Sequence, residues 1–375
     1  MFSPNTSFRG VTLSNQRRSR LMVYRCDATP EVGFGHLKRG IDLVEAVKAR
    51  VPFEARFLGT FADRARAFIV GRLGEVTIPV SNEPKDDGKL RAMLGELRPD
   101  LAVVDLLERD ADPGFMRIFR DTCRTTVAIT DDARKRAIDA DLVVNCNPTQ
   151  EASWYAEPQR YRLGLRYFLA DPALTAERRR TVPPIRGNRA RVFVGFGGRD
   201  VGDSKRRIVD ALEPLKERLH LDLLVTPFSP SMETLLAHLK ATDWDAALHQ
   251  SLSPPALAAL IADADLAICS MGNVGYEVLL IGCPLITVNF VSRQDEIATC
   301  LAASGAAINL GMVDRLEPDR LRGAVARLVD SEDERRRMSK AGQVLCDGQG
   351  LGRVADLVVD LLTRHPDAVG SAGKA

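Results

Sequence analysis

The sequence lacks any C-x-x-C motif. It has seven cysteines, and most of them lie within apolar segments. Free, buried thiols are therefore expected rather than disulfides or zinc ligands. Long apolar runs are also missing. Nothing approaches the roughly 20 residues that cross a bilayer, and the first residues have no apolar signal-peptide core. We expect a cytoplasmic protein without membrane insertion.

An excess of charge of either sign is absent as well. The chain has 52 basic and 50 acidic residues and a formal net charge of +2. It therefore has no general field that would attract nucleic acid or an acidic membrane. Any binding of an anion has to come from a local feature, and no nucleic-acid partner is expected.

The length of 375 residues exceeds what one hydrophobic core usually serves, so two domains are expected. In the first half, short β-branched runs alternate with segments of helical period. The predicted strands are 21–25, 55–58, 76–80, 101–105, 127–130 and 142–145. Helices are predicted from about residue 36, at 61–73 and at 87–97. This alternation indicates a parallel sheet covered on both faces.

The pattern stops at 170–189, where an Asp-Pro pair, three consecutive arginines and Pro183-Pro184 occur. Such a composition is typical of a linker. A second series of strands follows, at 191–196, 221–225, 246–248, 266–270 and 285–289. The predicted fold class is α/β, with two doubly wound, Rossmann-like domains that face a central cleft. Ligands of such sheets bind at the carboxyl ends of the strands.

These boundaries divide the chain into five segments. Residues 1–20 contain several arginines and no apolar period, and we expect a disordered basic extension or a misassigned start. An α/β domain at 21–170, a linker at 171–190 and a second α/β domain at 191–350 follow. The last segment, 351–375, is predicted to contain a helix near 354–363 that packs back on the first domain.

Three glycine-rich turns follow predicted strands. They are Gly33-Phe34-Gly35-His36, Gly197-Gly198 and Gly272-Asn273-Val274-Gly275. Each presents backbone N–H groups at or near a helix N-terminus, which is how proteins hold phosphate without a metal. None has the spacing of a Walker loop or of a complete dinucleotide fingerprint. The two turns of the second half, with Glu277 after them, suggest a nucleotide diphosphate whose ribose is held by that carboxylate.

The residues around the first turn resemble a known family. Residues 22–305 are similar to the bacterial UDP-sugar hydrolases of pseudaminic acid biosynthesis (PseG) and their SpsG-like relatives. The matching motifs are Tyr24-Arg25-x-Asp27, Gly33-Phe34-Gly35-His36-Leu37-Lys38-Arg39, Thr130-Asp131-Asp132, Asn145-x-Asn147, Gly197-Gly198-x-Asp200, Glu277-Val278-Leu279-Leu280 and Gln294. The resemblance implies the GT-B fold, which these proteins share with the lipid II-forming N-acetylglucosaminyltransferase.

The resemblance also implies where each part of the substrate lies. The nucleotide is expected on the C-terminal domain and the sugar on the N-terminal domain, with His36 as the base. The substrate-binding candidates are Asp27, Gly33, Gly35, Lys38, Arg39 and Asp105. The candidates for the nucleotide and its diphosphate are Gly197, Gly198, Gly272, Asn273, Val274, Gly275, Glu277 and Gln294.

His36 and the glycine turns also suit chemistry on a nucleotide sugar. A neutral imidazole is matched to removing a proton from an acceptor oxygen as the C1–O bond breaks. The positive end of the helix that starts near His36 disfavours the imidazolium. Backbone amides at the glycine turns stabilise the leaving diphosphate, so no metal and no cofactor is needed. Attack by water gives hydrolysis with inversion at C1, and attack by a hydroxyl gives glycosyl transfer.

Several candidates have plainer interpretations. Turn capping is favoured for Asp105 and substrate-side support for Asp27. Gln294 either completes a helix N-terminus or contacts the ligand. Four further candidates have a structural alternative to a role in binding or catalysis, in which they cap a helix, pack against it or lie on its solvated face: His36, Lys38, Arg39 and Glu277.

Two departures from the family leave the sugar open. The family has Asp-His-Tyr where this chain has Asp105-Leu106-Leu107, and Asn where it has Tyr276. We expect a monomeric hydrolase that releases UDP and a (diacetamido-)deoxysugar for a pseudaminic-like acid or another surface glycan. The alternatives are an inverting GT-B glycosyltransferase and a non-catalytic nucleotide-sugar-binding protein. CMP or dTDP in place of UDP also stays open.

Overall fold

The computed structural model describes residues 19–29, 32–74, 81–82, 87–105, 113–179, 181–196, 203–225 and 232–364. It contains two parallel sheets, one of seven strands and one of six. Helices flank both sheets, and most strand residues are buried. The predicted α/β fold with two doubly wound units is confirmed.

The first sheet is built from the N-terminal half. Its strands are β1 (Leu21–Arg25), β2 (Glu54–Gly59), β3 (Ser81–Asn82), β4 (Leu101–Asp105), β5 (Thr126–Thr130), β6 (Leu142–Asn145) and β7 (Tyr161–Leu163). The helices are α1 (Gly35–Lys48), α2 (Asp63–Leu73), α3 (Asp87–Leu97), α4 (Pro113–Thr122) and α5 (Pro172–Ala176). The strand order is β3-β2-β1-β4-β5-β6-β7.

The second sheet follows the same plan. Its strands are β8 (Ala190–Gly195), β9 (Leu219–Val225), β10 (Ala246–Gln250), β11 (Leu266–Cys269), β12 (Leu285–Asn289) and β13 (Ala307–Met312). The helices are α6 (Ser204–Leu212), α7 (Met232–Ala241), α8 (Pro254–Asp263), α9 (Asn273–Ile281), α10 (Ser292–Ala303), α11 (Pro318–Asp330), α12 (Glu332–Leu345) and α13 (Gly350–Thr363). The strand order is β10-β9-β8-β11-β12-β13.

Both sheets reverse their strand order at the first strand: β1 lies between β2 and β4, and β8 lies between β9 and β11. A crevice opens outside the carboxyl ends of the strands at such a reversal. His36 follows β1, Asp105 ends β4, and Asn273 begins α9 just after β11. The topology therefore brings the candidate residues to the two positions where doubly wound sheets bind ligands.

The last helix, α13, packs against the first sheet. Its residues Val354, Val358 and Leu362 share a buried core with Ile41 and Val44 of α1. Helix α5 and the segment before it pack the other way, with Leu174 and Phe168 in the core around α9. The chain passes between the two halves twice, before α5 and at α13, and buried apolar contacts join the halves at both places.

The predicted strands agree with the described ones to within two residues, and the predicted strand at 76–80 lies outside the described residues. Three described strands were not predicted: β3 and β7 have only two and three residues, and the apolar pattern of β13 is interrupted by Asn309 and Gly311. The predicted linker contains α5, whose N-cap Asp171 accepts the N–H of Ala173 at 2.7 Å.

All seven cysteines are free, and all except Cys300 are buried, as predicted. Within the ranges given above, no helix has the length and apolar character needed to cross a membrane.

Candidate functional site

His36 is the second residue of α1. The turn before α1 needs Gly33, whose φ of +80° lies in the left-handed region that other residues rarely adopt. Phe34 occupies the N-cap position without a side-chain hydrogen bond to the helix. The first N–H groups of α1 are therefore not satisfied by a cap and are open to water or an anion.

Asp105 gathers three side chains around one buried carboxylate. Its Oδ1 lies 2.9 Å from Nδ1 of His36, and its Oδ2 accepts the Tyr24 hydroxyl at 3.0 Å. Arg39 donates to both oxygens, from Nε at 2.7 Å and from Nη2 at 2.5 Å. Asp105 is 0% exposed, whereas the His36 side chain is 19% exposed. The imidazole therefore lies between the carboxylate and the solvent.

The charges of this cluster support one another. Burial by itself would raise the pKa of Asp105, but Arg39 and His36 hold that pKa well below its ordinary value. Burial also opposes the charge of Arg39, yet Asp105 raises the pKa of the guanidinium well above the usual range. Burial, aided by Asp105, raises the pKa of Tyr24. Asp105 is thus an anion, Arg39 a cation and Tyr24 a neutral hydroxyl donor.

The tautomer of His36 decides what the imidazole does. Arg39 Nη2 lies 3.0 Å from Nδ1, and Arg39 can only donate. Donation from Arg39 to Nδ1 and donation from Nδ1–H to Asp105 correspond to opposite tautomers. The anionic Asp105 favours the second, in which Nε2 is unprotonated and accepts a proton.

The capping preferences predicted for the two aspartates are reversed in the structure. Asp27 is fully buried; its Oδ1 accepts the Thr60 N–H at 2.7 Å, and its Oδ2 lies 3.2 Å from Arg25. Asp27 therefore fastens the end of β2 to β1, while Asp105 faces α1. The reason is that β2 ends at Gly59 against the Cys26 carbonyl, where an N–H needs an acceptor.

The start of α9 is the second half of the site. Gly272 is its N-cap and makes no side-chain cap, so that the N–H groups of Asn273, Val274 and Gly275 open the helix. The N–H of Met271 is held by Asn289 Oδ1 at 3.1 Å. A Cβ on Gly275 would lie 3.0 Å from Met271 Cε, so the turn leaves little room there. A helix that begins in this way favours an anion.

The starts of α1 and α9 meet across the two halves of the molecule. A Cβ placed on Gly35 would lie 3.4 Å from Asn273 Nδ2. A small pocket of about 60 Å³ lies at this junction. Its lining residues are Gly35, Lys38, Arg39, Asp42, Phe168, Leu169, Asp171, Asn273 and Glu277. Candidate residues of both domains therefore line one space.

Lys38 has a partner, and Glu277 an environment, that the sequence did not predict. Lys38 forms an ion pair with Asp171, the N-cap of α5. Glu277 keeps some exposure as a residue, but its carboxyl group is surrounded by protein, and burial raises its pKa to about 7. Lys38 opposes that rise and Asp171 adds to it. Neither side chain lies on a solvated helix face.

Gln294 completes a helix start: its Oε1 accepts the Phe290 N–H at 2.9 Å, just before α10. The predicted contacts of Gly197 and Gly198 lie outside the described residues, as does the Leu106-Leu107 departure. The assignment of substrate and nucleotide contacts to individual residues stays a prediction.

Three residues of the site received no role from the sequence: Tyr24, Phe168 and Asp171. Tyr24 was part of the quoted motif, and the alternation of β1 places it on the same face as Met22, toward α1. Phe168 stacks edge-on with Tyr276, with ring centroids 5.4 Å apart. No local pattern marks Phe168 or Asp171, because their partners lie on α9 and α1.

Sequence comparison gives a relative that covers most of the chain. No family model matches the chain. Over 343 residues it is 23% identical to the spore coat polysaccharide biosynthesis protein SpsG of Bacillus subtilis (strain 168), and the match covers 89% of this chain and 96% of SpsG. The chain is thus similar to SpsG over most of its length. The predicted resemblance is thereby confirmed.

Solved structures show the fold of this chain. MurG of Acinetobacter baumannii has a TM-score of 0.66 at 16% identity, covering 90% of this chain and 98% of MurG. UGT2 of Phytolacca americana, solved with UDP-2-fluoro-glucose and pterostilbene, has a TM-score of 0.66 at 14% identity, covering 92% of this chain and 100% of UGT2. The chain has the GT-B fold.

Proposed function

We propose that this protein is a nucleotide-sugar hydrolase that cleaves the C1–O bond of a UDP-linked (diacetamido-)deoxysugar by inverting attack of water. The observation that carries the proposal is the contact of His36 with the buried Asp105, next to the junction of α1 and α9. A histidine oriented by a carboxylate is suited to act as a general base. The released sugar serves synthesis of a pseudaminic-like acid or another surface glycan.

The reaction follows from the tautomer in which Nδ1–H of His36 donates to Asp105. Nε2 accepts a proton from water while the water oxygen bonds to C1 on the face opposite the nucleotide. The C1–O bond to the diphosphate breaks, and its electron pair leaves on the β-phosphate oxygen. The products are UDP and the free sugar of inverted configuration. Asp105 stabilises the imidazolium until its proton passes to solvent.

The first turn of α9 is the proposed site of the diphosphate. The N–H groups of Asn273, Val274 and Gly275, with the positive end of the helix dipole, stabilise the charge that develops on the leaving group. Glu277, one turn further along α9, is the proposed partner of the ribose. The UDP-sugar analogue in UGT2 supports UDP as the nucleotide.

An inverting glycosyltransferase is the second candidate, because UGT2 was solved with both a UDP-sugar analogue and pterostilbene. His36 would then deprotonate an acceptor hydroxyl in place of water. The two reactions use the same residues and differ in the acceptor alone. A test of function therefore has to vary the acceptor.

Incubation of the purified protein with a panel of UDP-sugars, with free UDP as the readout, tests the proposal. Release in water alone supports the hydrolase, and release only after an acceptor is added supports the transferase. Binding without release would leave a non-catalytic binding protein.

The His36→Ala variant tests the base. We expect it to lose UDP release and keep UDP binding, with His238→Ala, on α7, as the matched control. An unchanged rate in His36→Ala would contradict the mechanism.

A further inference from the structure

One face of the first sheet changes from apolar to acidic at its carboxyl edge. The residues that face α1 alternate along each strand, and this row contains Val103 of β4 and Ile129 of β5. The register pairs Asp105 with Ile129. Asp131, two residues beyond Ile129, therefore lies on the same face as Asp105, one strand over and one pleat closer to the cleft.

The backbone at Asp131 is fixed from β6 and the turn after it. Asn147 Nδ2 donates to the Asp131 carbonyl at 3.0 Å, and Asn145 Nδ2 donates to the Asp132 carbonyl at 2.9 Å. The two asparagines thus shape the turn that follows β5 and set the direction in which Asp131 leaves it.

Neighbouring Asp132 and Asp131 differ in what they bind. The Asp132 carboxylate is held by Arg134, whose Nη2 lies 2.7 Å from Oδ2. The Asp131 side chain is half-buried, and its carboxylate accepts no hydrogen bond from the described residues. Asp131 therefore has a backbone held by Asn147 and a carboxylate that accepts no hydrogen bond within the described part of the protein.

The charge of Asp131 affects the pKa of groups in both domains. Burial raises the pKa of Cys146 to about 12, and Asp131 adds to this rise. Burial likewise raises the pKa of Tyr276 on α9, and Asp131 contributes. Asp131 also contributes to the raised pKa of Arg39 of α1, whose main partner is Asp105. The charge of Asp131 thus acts on groups of the His36 cluster and of the nucleotide-side helix.

We propose that Asp131 contacts the sugar and restricts the substrate to nucleotide sugars that present a hydroxyl or N–H there, excluding uronic acid sugars. The inference rests on the proposed function. A fixed carboxylate accepts a hydrogen bond from such donors and repels a second carboxylate in the same confined space. Asp131 is thus a specificity residue, separate from the base.

Binding of three probes tests this inference: UDP, UDP-N-acetylglucosamine and its uronate, which differs only in the carboxylate at C6. We expect the wild-type protein to bind the neutral sugar at least about fivefold more tightly than the uronate. Asp131→Asn should bring this ratio close to one and leave UDP affinity unchanged. Asp131→Glu should keep the preference, and Asp132→Asn is the matched control.

Two results would overturn the inference alone, and a third would overturn the proposed function as well. An equal affinity of the wild-type protein for the two sugars, or the same ratio in Asp131→Asn as in the wild type, would overturn the inference while the proposed function stands. Failure of the wild-type protein to bind UDP would instead overturn the proposed function and this inference with it. Retained UDP binding shows that Asp131→Asn is folded.

Discussion

Nδ1 of His36 lies 2.9 Å from Oδ1 of Asp105, although the two residues are 69 positions apart in the chain. One begins the first long helix and the other ends the fourth strand. The strand order places β4 directly beside β1, so that the carboxylate at the end of one strand meets the helix that follows the other. The contact orients the imidazole of His36, whose side chain is 19% exposed.

Asp105→Asn tests this orientation. Asparagine removes the anion that favours Nδ1–H, so we expect UDP release to fall by about 10²- to 10⁴-fold, with UDP affinity unchanged. Steady-state kinetics and UDP titration measure the two effects. Asp121→Asn, at an exposed pair with Arg91, is the control. A rate within twofold of the wild type would show that Asp105 does not position the base.

Replacement of Arg39 should act on stability as well as on activity. Arg39→Met leaves a buried carboxylate without its cation, which we expect to lower the free energy of unfolding by about 3–5 kcal/mol. Arg39→Lys keeps the charge without the two-pronged contact and should lose less. Urea unfolding gives the values. Arg91→Met, which breaks an exposed pair, should cost less than about 1 kcal/mol; equal losses at both sites would contradict this account.

The pH dependence of stability should reveal Glu277. Burial raises its pKa to about 7 in the folded protein, against about 4.3 in an unfolded chain. As pH rises between these values, the unfolded state loses the proton first and is stabilised, so folding stability falls by at most about 4 kcal/mol. Glu277→Gln removes this loss.

We therefore expect Glu277→Gln to gain stability over the wild type as pH rises from 4 to 8, measured by urea unfolding at several pH values. The Glu296→Gln variant, on the exposed side of α10, controls for the loss of a glutamate. A difference between Glu277→Gln and the wild type that does not change with pH would refute the burial of this carboxyl.

Gly40 tests the packing that holds Tyr24. A Cβ on Gly40 would lie 2.5 Å from Cε1 of the Tyr24 ring, whose hydroxyl binds Asp105. Gly40→Ala should lower the free energy of unfolding by about 1–3 kcal/mol and reduce UDP release.

Gly71→Ala is the matched control, because nothing lies within 4 Å of a Cβ in that helix. Alanine there should be neutral or stabilising by up to about 1 kcal/mol. Thermal unfolding measures both variants, and similar losses in the two would show that the Tyr24 contact is not responsible.

Much of the fold could be predicted because its signals are local. The apolar runs at β1, β4 and β6 have the bounds that the structure gives them. Gly33 marks the turn before α1, and its φ of +80° explains why glycine stands there. Strands β7 and β13 were missed because short or polar segments are stabilised by pairing with their neighbours rather than by their own pattern.

The partners of the site residues could not be predicted in the same way. Asp27 and Asp105 both end strands, and the sequence favoured the wrong one for capping. Register and strand order decide that Asp27 meets Thr60 and that Asp105 meets His36. These choices depend on which strands become neighbours, and no local preference encodes that.

The sequence by itself therefore determined the two α/β units, the turn that presents His36 and the resemblance to SpsG-like proteins. Only the tertiary structure decided that Asp105 is the buried partner of His36, that Glu277 lies in a pocket with Lys38, and that Asp131 shares a face with Asp105. The physical reason is that hydrophobic period and turn chemistry act over a few residues. Burial and ionic partners arise only when distant segments pack together and exclude water.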